Sequence, residues 1–142
     1  FASIDAAERD RRDAAERFLA DYYAGRATGR YVAASLPSLP FGCGTFDVTL
    51  CAHLLFIYEN RFDFEAHLAA CLELCRVTKP GGEVRIHPCV NASGETSSFL
   101  APLRKALGHH DIASGLIDVD YAFFRGATRT LVLRPSLAGF GV

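Results

Sequence analysis

His67, Cys71 and Cys75 recur at every fourth position. On a helix that spacing sets an imidazole and two thiols on one face, a set of ligands a soft metal accepts. The same stretch carries Leu68 and Leu72, and free cysteine is among the residue types most often buried. No Cys-x-x-Cys or His-Glu-x-x-His spacing accompanies the trio. It reads as a set of small core residues, and no metal is expected. Cys43, Cys51 and Cys89 bring the cysteines to five in 142 residues. An odd count in a chain of this size argues against a disulfide framework and for a reducing, cytoplasmic setting.

The elements that would position such residues follow from periodicity. In the first stretch, Ile4, Ala15, Phe18, Leu19 and Tyr22 recur at helical spacing. Glu8–Arg12, Arg9–Asp13, Asp13–Arg17 and Arg17–Asp21 place opposite charges four apart, which suits a solvated helix face. Asp5 with Glu8 resembles a capping box, and Gly25 is a candidate stop. A short β-prone run, Arg30 to Leu36, leads into a loop rich in proline and glycine. Residues 46–52 read as a buried strand running into a loop or a short helical turn. Residues 63–78 read as a helix with Asp63 as its cap, and with Phe64, Leu68, Cys71, Leu72 and Cys75 inward. Lys79-Pro80-Gly81-Gly82 is expected to end that helix, since proline cannot continue it and glycine accepts a left-handed turn. A strand at 83–88 and a helix at about 98–108 follow, with Pro102 in the helix's first turn. Residues 116–124 and 128–134, joined through Arg125-Gly126-Ala127, read as a closing hairpin.

A net charge of −1 gives no electrostatic argument for nucleic acid or an anionic membrane. No apolar run reaches spanning length, and no signal peptide opens the chain. The chain begins at Phe1 and contains no methionine, which points to a fragment or a processed chain. Strand, helix, strand, helix and a closing hairpin make an α/β pattern with a mostly parallel sheet.

"SLPSLPFGCGTFDVTLCAHLLFIY", a helix, then "ELCRVTKPGGEVRI" resembles the second half of a class I S-adenosylmethionine-dependent methyltransferase. The resemblance covers about residues 31–134, and the order and spacing of the motifs carry it. It implies a Rossmann-like three-layer sandwich whose sheet ends in an antiparallel hairpin. It also implies methyl transfer from S-adenosylmethionine to a small-molecule acceptor. The Pro-Gly-Gly turn would be scaffold in such a fold. Residues 31–34 would be the family's third strand and 46–52 its fourth.

The family holds its cofactor through a glycine-rich turn after its first strand and an acidic residue ending its second, by close backbone approach and a carboxylate on a diol. No Gly-x-Gly-x-Gly occurs here. The first two strands are therefore expected to be missing, leaving 46–52 as an open edge. An upstream segment, a second chain, or a homo-oligomer pairing edge to edge would each cover it. Aligned on Leu39-Pro40-Phe41, Ser35 falls where relatives bond the adenine amino group, and Leu36 where an apolar side chain packs on adenine. Cys51 and Ala52 fall at the cofactor's methionine end. Tyr58 could turn its ring to the sulfonium. His53 is the general-base candidate, since imidazole titrates near neutral pH. His87 also falls at the ligand edge of an open α/β sheet. His109 and His110 read as exposed. Two other readings stand beside this one: an inactive methyltransferase-like subunit, and a different nucleotide-binding α/β enzyme.

Overall fold

Ser3 opens the first helix of the computed structural model, which describes residues 3–121 and 126–136. The chain divides into two compact units, residues 1–34 and 35–142. In the first, α1 spans Ile4–Ala27. Its cap is Ser3, whose side chain accepts from the Ala6 amide, and not the expected Asp5. Its end is Thr28 followed by Gly29 at φ +77°, whereas Gly25 lies inside the helix. A Cβ at Gly25 would meet the Tyr31 ring, and that ring also packs on Phe18 at 5.3 Å and Tyr22 at 5.5 Å. The Tyr31 hydroxyl donates to Asp21 at 2.7 Å. Tyr31 is thus anchored to its own helix, and residues 31–34 form no strand. Of the expected helix ion pairs, Arg12–Glu8 forms at 2.9 Å, while Asp21 takes Arg30.

The second unit is a four-stranded sheet in the order β1-β2-β4-β3, with β1 Phe46–Ala52, β2 Thr78–His87, β3 Ala113–Asp118 and β4 Arg129–Arg134. The parallel β1–β2 pair runs in register from Val48 opposite Glu83 to Ala52 opposite His87. β4 is antiparallel to both β2 and β3. The closing hairpin is therefore present, but its first strand is Ala113–Asp118 and not the expected 116–124, of which 122–124 lie outside the described residues. Its turn lies partly outside the described residues, since Arg125 is among those not described. The expectation of a mostly parallel sheet does not hold for these strands, because one pair is parallel and two are antiparallel. Among the described residues β1 has no strand on its far side.

A short 3₁₀ turn at Phe56–Tyr58 follows β1. Helix α2, Phe64–Val77, then starts at Asp63, whose carboxylate accepts from the Ala66 amide at 2.8 Å. Its buried stripe is His67, Ala70, Cys71, Leu74, Cys75 and Val77. Phe64, Leu68 and Leu72, expected inward, are only partly buried against that core. Helix α3, Leu100–Gly108, buries Leu100, Leu103 and Leu107. Alternation in the strands sends Val84, Ile86, Leu131 and Leu133 into the core with these helices. The other face carries Val48, Leu50, Arg85 and Ile117, all exposed. Among its described residues this unit is two layers deep, without the third layer of the expected sandwich.

The Pro-Gly-Gly stretch differs from expectation in place. Helix α2 ends at Val77, before Lys79, and its last turn is closed by Thr78, whose hydroxyl donates to the Leu74 carbonyl at 2.7 Å. Thr78 already pairs with Phe46 as β2, and the next registered pair is Val48 with Glu83. Lys79 to Gly82 is thus an excursion within β2, made possible by Gly81 at φ +82°.

Candidate functional site

Parallel pairing carries the ends of β1 and β2 to one edge of the sheet. There the His53 amide donates to the His87 carbonyl at 2.7 Å. His53 sits at φ +55°, a left-handed conformation uncommon for a residue with a Cβ and often found at functional sites. The two imidazoles stand nearly perpendicular with centroids 5.9 Å apart. His87 Nδ1 lies 3.0 Å from the Thr130 hydroxyl on β4, and the Tyr121 ring is 5.6 Å from the His87 ring. Burial first, and then the neighbouring His53, lower the His87 pKa against a smaller opposing effect of the Arg129 backbone. A cleft of about 460 Å³ opens here on the face without helices, lined by Leu50, Ala52, His87, Ile117, Tyr121 and Thr130 among others.

The sequence candidates fall in different settings. Ala52 is exposed and lines the cleft. Cys51 also contributes to the cleft lining but is buried in the core, and burial pushes its thiol up to about 11. Tyr58 is exposed beside Phe62, and the Arg61 guanidinium already lies 5.8 Å from its ring centroid. Ser35 is exposed, with its hydroxyl donating to the Leu36 carbonyl at 3.3 Å. Leu36 packs partly against the core. His67 places Nδ1 2.8 Å from the Asp63 carbonyl, which can only accept, and stacks near Phe56 and Phe99. Burial raises the Cys71 thiol strongly and pushes Cys75 up to about 12, which disfavours the thiolates a metal needs. No group of three metal-ligating side chains forms among the described residues.

Two polar devices were not legible beforehand. Glu59, just past the 3₁₀ turn, accepts from Asn91 Nδ2 at 3.0 Å, from the Ser98 amide at 3.2 Å, and from the Ser97 hydroxyl. It ties the loop after β1 to the loop after β2. Glu73 and Arg76 on α2 hold the Leu39–Phe41 segment by its backbone. An acid and a base three apart on a helix were visible in the sequence, but their backbone partners were not.

Burial alone would raise the Glu59 carboxyl, but the hydrogen bonds from Ser97 and Asn91 outweigh it and hold the pKa below its ordinary value. A lowered carboxyl contributes stability above the unfolded pKa and loses it as pH falls through the folded one. Wild type is therefore expected to be more stable than Glu59→Gln at about pH 6, with the gap closing towards about pH 3. Urea midpoints across that range measure it, and a gap independent of pH would refute the carboxylate's role.

A family model described as "Methyltransferase domain" matches residues 2–86, more than half of the chain. The chain belongs to the class I S-adenosylmethionine-dependent methyltransferases. An uncharacterized protein of Methanocaldococcus jannaschii is 28% identical to this methyltransferase chain over 134 residues, which is 94% of the chain and 56% of that relative. The chain thus spans little more than half the length of the relative it matches. Methyltransferases of this family generally use S-adenosylmethionine, and no described helix of this one is long and apolar enough to cross a membrane.

Proposed function

We propose that this chain carries the acceptor side of an S-adenosylmethionine-dependent methyl-transfer site. The observation that supports it most is the parallel register that sets Ala52 beside His87, with an open cleft immediately over them. S-adenosylmethionine, when bound, would supply an electrophilic methyl group. Residues of this chain fit part of that cofactor. The exposed Ser35 hydroxyl has the donor and acceptor capacity an adenine edge needs, with Leu36 beside it. Ala52 leaves room at the strand end where the methionine portion would lie. A glycine-rich turn and a ribose-gripping carboxylate have no counterpart in the motifs of this chain, so the remaining contacts would come from elsewhere in the protein. The unpaired edge of β1 is where a further strand would join, from a longer form of this chain or from a second copy.

The chain's own residues would do three things. His53 and His87 would handle an acceptor proton at the strand ends. The Glu59 bridge would hold the loops around the acceptor in place. The Arg76 clasp would fix the loop that follows Ser35. Orientation of acceptor and methyl at near-contact distance would supply much of the acceleration.

S-adenosylhomocysteine, titrated into the protein at its full natural length, is expected to bind and raise the melting temperature. At 100 times its Kd it adds about 2.7 kcal/mol of apparent stability. Calorimetry and thermal denaturation measure this. Absence of binding would overturn the cofactor reading and favour an inactive methyltransferase-like subunit.

A further inference from the structure

We propose that the open face of the four-stranded sheet binds a small organic monocarboxylate with a flat apolar body, and that the Arg85 guanidinium holds its carboxylate. The inference goes beyond the methyl-transfer reading and needs no cofactor. Strand register fixes which side chains are neighbours on this face. Leu50 stands opposite Arg85, Arg85 opposite Val132, and Val132 opposite Gly115. Two residues nearer the ends of β1 and β2, Ala52 stands opposite His87, and Ile117 stands opposite Thr130. Alternation puts these residues on one side of the sheet.

The cleft of about 460 Å³ opens on this side, with Leu50, Ala52, Ile117, Val119 and Tyr121 as its apolar lining and Arg85 among its residues. Leu50 is 72% exposed and Tyr121 56%. An apolar body laid here would take from water a surface that the described residues leave wet. The Tyr121 ring offers it a stacking face. Gly115 adds room, since among the described residues a Cβ there would meet only Arg134 Nη1, at 3.8 Å.

Charge selects the head group. One oxygen of Glu83 accepts from Arg85 Nε at 3.1 Å and Nη2 at 2.9 Å, and the other accepts from Arg134 Nη2 at 2.9 Å. Two guanidiniums thus share one carboxylate, and one positive charge is left over. Glu83 is also the most shielded of the three, at 25% side-chain exposure against 47% for Arg85 and 53% for Arg134. Arg85 Nη1 makes no hydrogen bond among the described residues. No carboxylate lines the cleft itself among those residues. A monoanion matches the excess charge and the planar fork of Arg85. A cation would be repelled, and a neutral ligand would leave the Arg85 donors unused. A second copy seated two-fold on this face would set like excess charge against like.

Fluorescence titrations of the full-length protein, without cofactor, compare three naphthalenes of similar shape: 2-naphthoate, its neutral amide 2-naphthamide, and the cation 2-naphthylmethylammonium. 2-Naphthoate is expected to bind about 10-fold more tightly than the amide, the scale of a charge-assisted hydrogen bond, and the ammonium more weakly than either. Arg85→Gln should bring 2-naphthoate down to the level of the amide. Arg134→Gln gives Glu83 wholly to Arg85 and should weaken 2-naphthoate about 3-fold, whereas Glu83→Gln releases both guanidiniums and should tighten it about 3-fold. Binding of 2-naphthamide should stay the same in all three. Should Arg85→Gln not fold, the opposed shifts of the other two variants decide, because a general loss of structure cannot produce both. The proposal is overturned if the amide or the ammonium binds as tightly as 2-naphthoate, if the preference survives in folded Arg85→Gln, if Glu83→Gln weakens 2-naphthoate, or if no probe binds. Sedimentation of the same samples reads the rival occupant: a dimer that excludes the probe would assign the face to a second copy and overturn the proposal. S-adenosylhomocysteine binding, titrated separately, decides the methyl-transfer reading and leaves this ligand class untouched.

Discussion

Gly82→Ala is expected to cost about 3 kcal/mol of stability, a fall of roughly 10 °C in melting temperature. A Cβ at Gly82 would run into the backbone oxygen of Asp47 and lie 3.0 Å from both the Lys79 carbonyl and Thr78 Cγ2. Two of those three atoms are backbone, so no flexible side chain can move aside. Relief would require β1 to shift against β2, and the pairing that follows immediately is Val48 with Glu83. Gly81 is the internal control. It sits at φ +82° with nothing within 4 Å of its would-be Cβ. Gly81→Ala should therefore cost only the left-handed backbone preference, about 1–2 kcal/mol. Chemical denaturation of both variants measures the difference. Equal, small losses would refute the close approach at Gly82. The effect should also reach the site, because the same register sets Ala52 against His87, and a displaced β1 moves His53 with it.

Much of the fold was legible because local signals and packing agree there. The apolar run at 46–52 became β1 with the same bounds, and Asp63 capped α2 as its spacing predicted. Local signals failed where a tertiary partner outweighed propensity. Residues 31–34 are β-prone, yet Tyr31 is held by Asp21 and by the aromatic rings of α1. Pro80 reads as the end of a helix, yet Thr78 ends it first by turning its hydroxyl back to Leu74. The inward stripe of α2 also turned out rotated, because His67 satisfies Nδ1 on its own helix and can be buried among aromatic rings. A histidine's burial depends on such a partner, and sequence periodicity carries no trace of it.

The candidate site was legible in outline and not in detail. The rule that ligands gather at the carboxyl ends of parallel strands pointed to both His53 and His87. Thr130, some forty residues away in the chain, fixes one nitrogen of His87. That pairing depends on the antiparallel return of β4, which no local motif encodes. Cys51 and Ala52 both line the cleft, but strand alternation buries the Cys51 side chain in the helix-covered core and leaves Ala52 exposed.

The Arg76 clasp yields the second large expectation: Arg76→Ala should destabilise the protein by about 2–3 kcal/mol and loosen the Leu39–Phe41 loop. Arg76 donates to the Phe41 carbonyl at 2.9 Å and the Leu39 carbonyl at 3.3 Å, and pairs with Glu73 at 2.7 Å. Glu73 in turn accepts from the Leu39 amide at 2.6 Å. Its side chain is 11% exposed, against 34% for Arg76. Removing the arginine would therefore strand a largely buried carboxylate, and the partial exposure of Arg76 trims the cost below that of a fully buried pair. Lysine cannot fork to several acceptors, so Arg76→Lys should recover only part of the loss. Hydrogen bonding from Arg76, opposed by burial, lowers the Glu73 pKa. This contribution is therefore present above the ordinary carboxylate range and disappears as pH falls through the lowered value. Arg76→Ala should show a smaller acid-dependent loss than wild type. The loop continues from Ser35 and Leu36, so the folded variant should also bind S-adenosylhomocysteine more weakly than wild type. Unchanged affinity in the folded variant would mean that Arg76 supports the unit as a whole and not this loop.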